Sequence, residues 1–154
     1  MKGKIIGGSA VAIALSTGLI ATSEGLKTKP YFDIVGVQTV CYGETNVEMI
    51  EYSKADCLDM LNDRVPEYYK QAMAYIEYDI PATMAASVTS FTYNVGVGAF
   101  SRSTMLKKIN MGDLWGACDE FDRWVYAGGM WVKGLANRRE AEKRMCVAEL
   151  QGRA

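Results

Sequence analysis

At 154 residues, 49% hydrophobic and 23% charged, the chain has material for one folded core and little more. Its net charge of −1, with acidic residues gathered from Glu44 to Glu67 and basic ones from Lys107 to Arg144, is far from the strongly basic footprint of a nucleic-acid-binding domain. The absence of histidine excludes Ser-His-Asp and Cys-His hydrolases and His-ligated zinc enzymes in their usual forms, which leaves carboxylates to carry any hydrolytic chemistry.

The first element is an uncharged stretch from Ile5 to Ser23. As a helix it reaches about 28 Å, just short of a hydrocarbon core of about 30 Å, so one membrane crossing is permitted. Lys2 and Lys4 precede it, and the positive-inside rule then keeps the N-terminus in the cytoplasm and sends the body across. Gly7, Gly8, Gly18, Ser9, Ser16, Thr17, Thr22 and Ser23 stand where a firm anchor has large apolar residues, so the anchor is weak and can leave the bilayer at modest cost. A cleavable signal peptide shares the basic start and apolar middle. Against it, the Ala10–Ala12 and Ala12–Ala14 patterns lie inside the apolar run, and a cut after Ala21 places Leu19 at the outer recognition position. The preferred reading is a retained membrane segment over residues 1–23 and a separate domain over residues 24–154.

Residues 31–43 are rich in β-branched and aromatic side chains broken by Gly36, which predicts a short hairpin. Ser53 with Asp56 resembles a capping box and starts a helix carrying Cys57, Met60, Leu61 and Val65 on one face, with Pro66 expected to kink or restart it. Pro81 at a first helical position opens a small, apolar central helix over Ala82 to Tyr93, closed by Gly96 and Gly98. Ser103 or Thr104 caps a short helix to Asn110, which Gly112 ends. Leu114 to Tyr126 is helical by pattern, Gly128-Gly129 forces a turn, and a final amphipathic helix runs from Leu135 to Leu150. The sum is α+β: mostly helical, with a small antiparallel β element near the N-terminus and a weakly hydrophobic helix before it. Spacing makes Phe91 a core residue. Trp115, Trp124 and Trp131 read as core or partly exposed packing. Arg138, Arg139 and Glu140 read as ion pairs along the last helix, worth a few tenths of a kcal/mol.

Four cysteines in an exported domain suggest two disulfides, and three pairings are open. Cys41–Cys57 with Cys118–Cys146 is preferred because each bond ties neighbouring elements.

Glu24, Asp33 and Thr39 form the chemical set. Glycoside hydrolysis needs one carboxylic acid to protonate the leaving oxygen and a second group to attack the sugar or hold a water that does. A Glu at a helix end, set partly against apolar neighbours and facing an Asp and a Thr on a hairpin, supplies both halves. Taken singly, each has an ordinary reading as a helix-end charge, a turn residue and a strand former. Asn94, near the same cleft, is a substrate-binding candidate.

The surrounding residues give the set its weight. Glu24-Gly25-Leu26, Tyr31, Asp33, Gly36, Thr39 and Tyr42-Gly43 resemble the N-terminal catalytic signature of the phage-type lysozymes. The likeness continues through the run Ser90 to Phe100, Ser103-Thr104-Met105-Leu106, Trp124 to Gly129, Gly134-Leu135 and Arg138-Arg139-Glu140. With the weak anchor ahead of it, the chain is similar to the signal-arrest-release endolysins of that family. The resemblance implies a lysozyme-like fold that cuts the β-1,4 bond between N-acetylmuramic acid and N-acetylglucosamine in peptidoglycan, with Glu24 as the acid and Asp33 and Thr39 positioning the water. It implies a monomer with no cofactor and no metal, delivered by the host secretion machinery, held at the inner membrane through residues 5–23, and then freed into the periplasm. Two departures stand out. Glu44 follows Tyr42-Gly43 where many relatives have His, and the anchor has no Cys, which closes activation by disulfide exchange and leaves refolding of residues 5–23 as a helix on the domain. The competing readings are a lytic transglycosylase of the same fold and an inactive, membrane-tethered murein-binding protein.

Overall fold

The uncharged N-terminal stretch divides into two elements in the computed structural model, which describes residues 2–151. A short strand, β1 (Ile5–Ile6), is followed by helix α1 (Ser9–Glu24). Gly7 and Gly8 between them take φ of 101° and 94°, a left-handed conformation that suits glycine and swings the chain from strand to helix. α1 buries Ala12, Ser16 and Ile20, spaced four residues apart along one face. Three of its hydroxyls bond the helix itself: Ser16 Oγ donates to Ala12 O at 2.7 Å, Thr17 Oγ1 to Ile13 O at 2.9 Å and Thr22 Oγ1 to Gly18 O at 2.9 Å.

In the folded domain the stretch is not the single transmembrane helix expected over residues 5–23. Among the described residues no helix is long and apolar enough to cross a membrane. The helix begins at Ser9 because β1 pairs in parallel with β4 (Ile80–Pro81), Ile5 opposite Ile80, and the two glycines end that strand. The stretch is built into the domain, and α1 runs without a break through Ser23 into Glu24.

Strands β2 (Lys27–Phe32) and β3 (Gln38–Cys41) form the antiparallel hairpin, with Tyr31 opposite Thr39 and Phe32 opposite Gln38. Helix α2 (Lys54–Met73) starts on Ser53, whose side chain accepts from Asp56 N. It continues through Pro66. The ring costs a backbone bond there, but Cys57, Leu61, Val65 and Ala72 are buried along the helix and hold both halves in place. After β4, with Pro81 as the N-cap rather than the first helical residue, comes the central helix α3 (Ala82–Val95), buried along the whole run from Ala82 to Thr92. Gly96 closes it at φ 91°.

Helices α4 (Val97–Ser101), α5 (Thr104–Asn110) and α6 (Leu114–Asp119) follow, and Ser103 and Asp113 cap the last two. The expected helix to Tyr126 stops early. Glu120–Arg123 tightens into a 3-10 turn, and Tyr126 enters a small hairpin, β5 (Tyr126–Ala127) and β6 (Met130–Trp131), around Gly128 and Gly129. Helix α7 (Lys133–Ala148) returns against α3. Phe91 on α3 holds the aromatic centre, edge-on to Phe100, Phe121 and Trp124 at centroid distances of 6.5, 5.5 and 5.0 Å. Trp115 and Trp131 stay about half exposed. Disulfides join Cys41 to Cys57, tying β3 to α2, and Cys118 to Cys146, tying α6 to α7.

Candidate active site

Glu24 is the last residue of α1, Asp33 opens the turn between β2 and β3, and Thr39 lies on β3. The three line one open cleft of about 430 Å³, together with Tyr31, Glu44, Arg64, Tyr93 and Asn94. The hairpin and the end of α1 form one side, and α2 and the end of α3 the other.

Asp33 and Thr39 are fixed through the same backbone residue. Asp33 Oδ1 accepts from Val35 N at 3.0 Å and Val37 N at 2.8 Å, while Thr39 Oγ1 donates to Val37 O at 2.9 Å. The turn therefore sets both side chains at once. The Thr39 hydroxyl has committed its proton and keeps its lone pairs for a donor from the cleft.

Glu24 is held differently from the sequence expectation. Its carboxylate meets the guanidinium of Arg138 instead of apolar neighbours: Arg138 Nη1 donates to Oε1. The other oxygen faces Gly43. A Cβ at that glycine would lie 3.0 Å from Glu24 Oε2, on a backbone with φ 83°. Gly43 thus leaves the space in which the carboxylate sits.

Arg138 and Arg139 are not the surface pairs expected of the last helix. Both are buried, and Glu142, one turn on, is fully enclosed between them. Glu142 accepts from Ser90 Oγ at 2.6 Å and lies 3.1 Å from Arg139 Nη1 and 3.5 Å from Arg138 Nε. Arg138 Nη2 also donates to Ser90 O at 3.1 Å. Arg139 stacks over Phe91 at 5.0 Å and donates to Asn94 Oδ1. Glu140 alone keeps to the surface, 3.3 Å from Arg144. The network runs from the core through Arg138 to Glu24 and through Arg139 to Asn94, so α7 positions cleft residues that it does not itself expose. A hydropathy reading places such charges in water because they are seldom buried unless paired. The available signal was the i, i+1, i+4 spacing of Arg138, Arg139 and Glu142 on a helix that had to pack.

Glu44 is 5% exposed. Its Oε2 lies 3.3 Å from Arg64 Nε, and its Oε1 is buried with no hydrogen-bond partner among the described residues. Burial pushes its carboxyl above the usual range, with Arg64 pulling the other way. The Tyr31 phenol is raised by burial and then by the charges of Glu24 and Asp33. Tyr93 is raised chiefly by burial and donates to Tyr42 O at 2.7 Å, which braces the chain just before Gly43. Burial pulls Arg139 down to about 10, so it keeps its charge at neutral pH.

Comparison with known proteins follows the same outline. Residues 21–142 match the family model described as phage lysozyme. The SAR-endolysin of Enterobacteria phage P21 is 48% identical over 149 residues, covering 92% of this chain and 90% of that protein. Among solved structures, an endolysin from Escherichia coli O157:H7 phage FAHEc1 superposes with a TM-score of 0.77 at 22% identity, over 97% of this chain and 98% of that one. The active form of the P1 phage endolysin Lyz gives 0.75 at 21% identity, over 99% of both chains. These two likenesses establish the lysozyme-like fold.

Proposed function

The chain belongs to the phage lysozyme family, and from that premise we propose that it is a muramidase hydrolysing the β-1,4 bond between N-acetylmuramic acid and N-acetylglucosamine in peptidoglycan. The supporting observation is that Glu24 shares one cleft with Asp33 and Thr39, with Arg138 holding Glu24 and the Val37 backbone holding the other two. Glu24 is the general acid. Arg138 on one oxygen and Gly43 beside the other fix its carboxylate, so the proton meets the glycosidic oxygen in a set direction. A water that donates one proton to Asp33 and the other to Thr39 Oγ1 turns its free lone pair towards the anomeric carbon. Attack by that water inverts the configuration. Asn94, oriented by Arg139, offers its amide group to the sugar.

The same reading assigns residues 1–23 to delivery. The Ile5–Ser23 stretch is exported as an uncleaved weak anchor with the N-terminus in the cytoplasm. It leaves the inner membrane when the proton-motive force collapses and completes the domain as β1 and α1. In support, the folded domain buries Ala12, Ser16 and Ile20, and the hydroxyls of Ser16, Thr17 and Thr22 close on their own helix, which suits both lipid and protein surroundings.

Glu24→Gln on purified murein tests the acid assignment. Hydrolysis is expected to fall by about 10²–10⁴-fold with binding and melting temperature nearly unchanged. Unchanged turnover refutes the assignment. Products with a reducing N-acetylmuramic end are expected; 1,6-anhydro ends would make the enzyme a transglycosylase, and no products at all a murein-binding protein.

A further inference from the structure

The turn that carries Asp33 has a second side. Phe32, Ile34, Val35 and Val37 project from it with 71, 75, 67 and 44% of their surface exposed, a contiguous apolar tip on a two-stranded hairpin. A hairpin this small gains nothing from leaving such residues in water, and a contiguous apolar patch marks a contact surface. Four backbone N–H groups of the tip are bonded within it. Asp33 N donates to Val37 O at 2.9 Å, Gly36 N to Asp33 O at 3.0 Å, and Val35 N and Val37 N both donate to Asp33 Oδ1. Few donors point outward to recognise a polar ligand such as a glycan. The same closure spares those four donors the loss of a partner when the tip enters the interfacial region, where the outward carbonyls still meet water and headgroups. Lys27 and Lys29 are exposed on β2, and a bulge in the strand brings Lys27 Nζ to 5.5 Å from the Tyr31 ring, just behind the tip. Glu24, at the end of α1 before β2, is paired with Arg138.

We propose that this tip is a membrane-docking loop: Phe32, Ile34, Val35 and Val37 enter the interfacial region of a bilayer with anionic headgroups, while Lys27 and Lys29 meet the lipid phosphates. Apolar residues on a closed turn, backed by cations and an amphipathic tyrosine, match the layered polarity of that interface. The docking does not depend on residues 5–23 crossing the bilayer. It applies to the folded enzyme, whose cleft is then held at the inner-membrane face.

The test uses the full-length folded protein and vesicles of phosphatidylethanolamine and phosphatidylglycerol. Sedimentation with the vesicles is expected to weaken about tenfold or more in Ile34→Ser/Val35→Ser, because two aliphatic side chains no longer leave water. Binding is expected to fall with added salt and in Lys27→Gln/Lys29→Gln. Phe32→Trp keeps an aromatic side chain at the tip, and its added fluorescence is expected to be quenched by lipids brominated high on the acyl chain. Circular dichroism establishes that the variants are folded. Undiminished vesicle binding in the double serine variant, or an unquenched Trp at position 32, overturns the proposal. Unchanged vesicle binding with lost affinity for purified sacculi also overturns it and assigns the tip to the glycan.

Discussion

At Gly43 the Glu24 carboxylate occupies the space that a side chain would take. Any side chain there meets the Glu24 carboxylate at 3.0 Å, and φ of 83° strains every residue but glycine. Gly43→Ala is therefore expected to push the Glu24 carboxylate aside by a few tenths of an ångström and reduce turnover on murein about tenfold, while changing stability by only about 1 kcal/mol. Activity within a few-fold of wild type would mean that Glu24 moves freely. Glu44, next in sequence, gives a pH signature. Its folded pKa is raised by burial, so the folded state holds a proton that the unfolded chain releases. The stability it lends is fully present below the unfolded value of about 4.3 and is lost as pH rises through the folded value. Glu44→Gln removes that loss. The stability of the variant relative to wild type, from urea titrations at several pH values, is expected to rise from pH 4 towards pH 7, and a flat difference would show that Arg64 compensates Glu44 fully.

Elements were legible where one residue decides them and obscure where distant ones do. Ser53 and Ser103 capping α2 and α5, Gly96 ending α3, and Gly128-Gly129 turning β5 into β6 are local chemistry, readable from short windows. Pro66 inside α2 and the early end of α6 were decided by partners far along the chain. So was the burial of Arg138, Arg139 and Glu142, whose compensation comes from Ser90, Glu24 and Asn94 on other elements. The cleft trio could be found in sequence because it lies within sixteen residues, Glu24 to Thr39, whereas Arg138, the ionic partner of Glu24, lies 114 positions away. α1 joins both kinds of information. Its small residues read as a weak anchor, but Ala12, Ser16 and Ile20 also form a narrow face that fits against α3, where Ser16 Oγ reaches Ala86 O at 3.4 Å. Ile20 is fully buried with Leu61 and Val65 one turn before Glu24. Ile20→Ala is expected to destabilise the fold by about 2–5 kcal/mol in urea denaturation, since the cavity opens between α1 and α2. A cost below about 1 kcal/mol would show that α1 contributes little to the domain.

At the scale of the whole molecule, the proposed delivery makes the N-terminus the part that has to change sides. In the proposed delivery Lys2 and Lys4 begin in the cytoplasm, yet in the folded enzyme the same segment is stitched to residues beyond α2. Gly3 N donates to Ile76 O at 3.0 Å, Ile80 N to Lys4 O at 3.0 Å, and Lys4 N to Asp79 Oδ1 at 2.6 Å. Under that proposal these bonds form only after the basic end has crossed, so they act after release and oppose its reversal. Each is worth about 1 kcal/mol, and together they suffice to hold an arm but not to extract an anchor. Gly3 is the sensitive point, because a Cβ there would lie 2.1 Å from Tyr78 O. Gly3→Val is expected to detach the arm while leaving α1 docked. The Ile80 amide then exchanges with solvent at least tenfold faster, and amides in α3 keep their protection. In cells the variant is expected to reach the soluble fraction after depolarisation with an intact mass that includes residue 2, and to re-associate with membrane more than wild type when the potential is restored. Continued protection of Ile80 would show that the arm is held by side chains such as Ile5 in the core, and a mature chain beginning near Ser23 would replace release by cleavage.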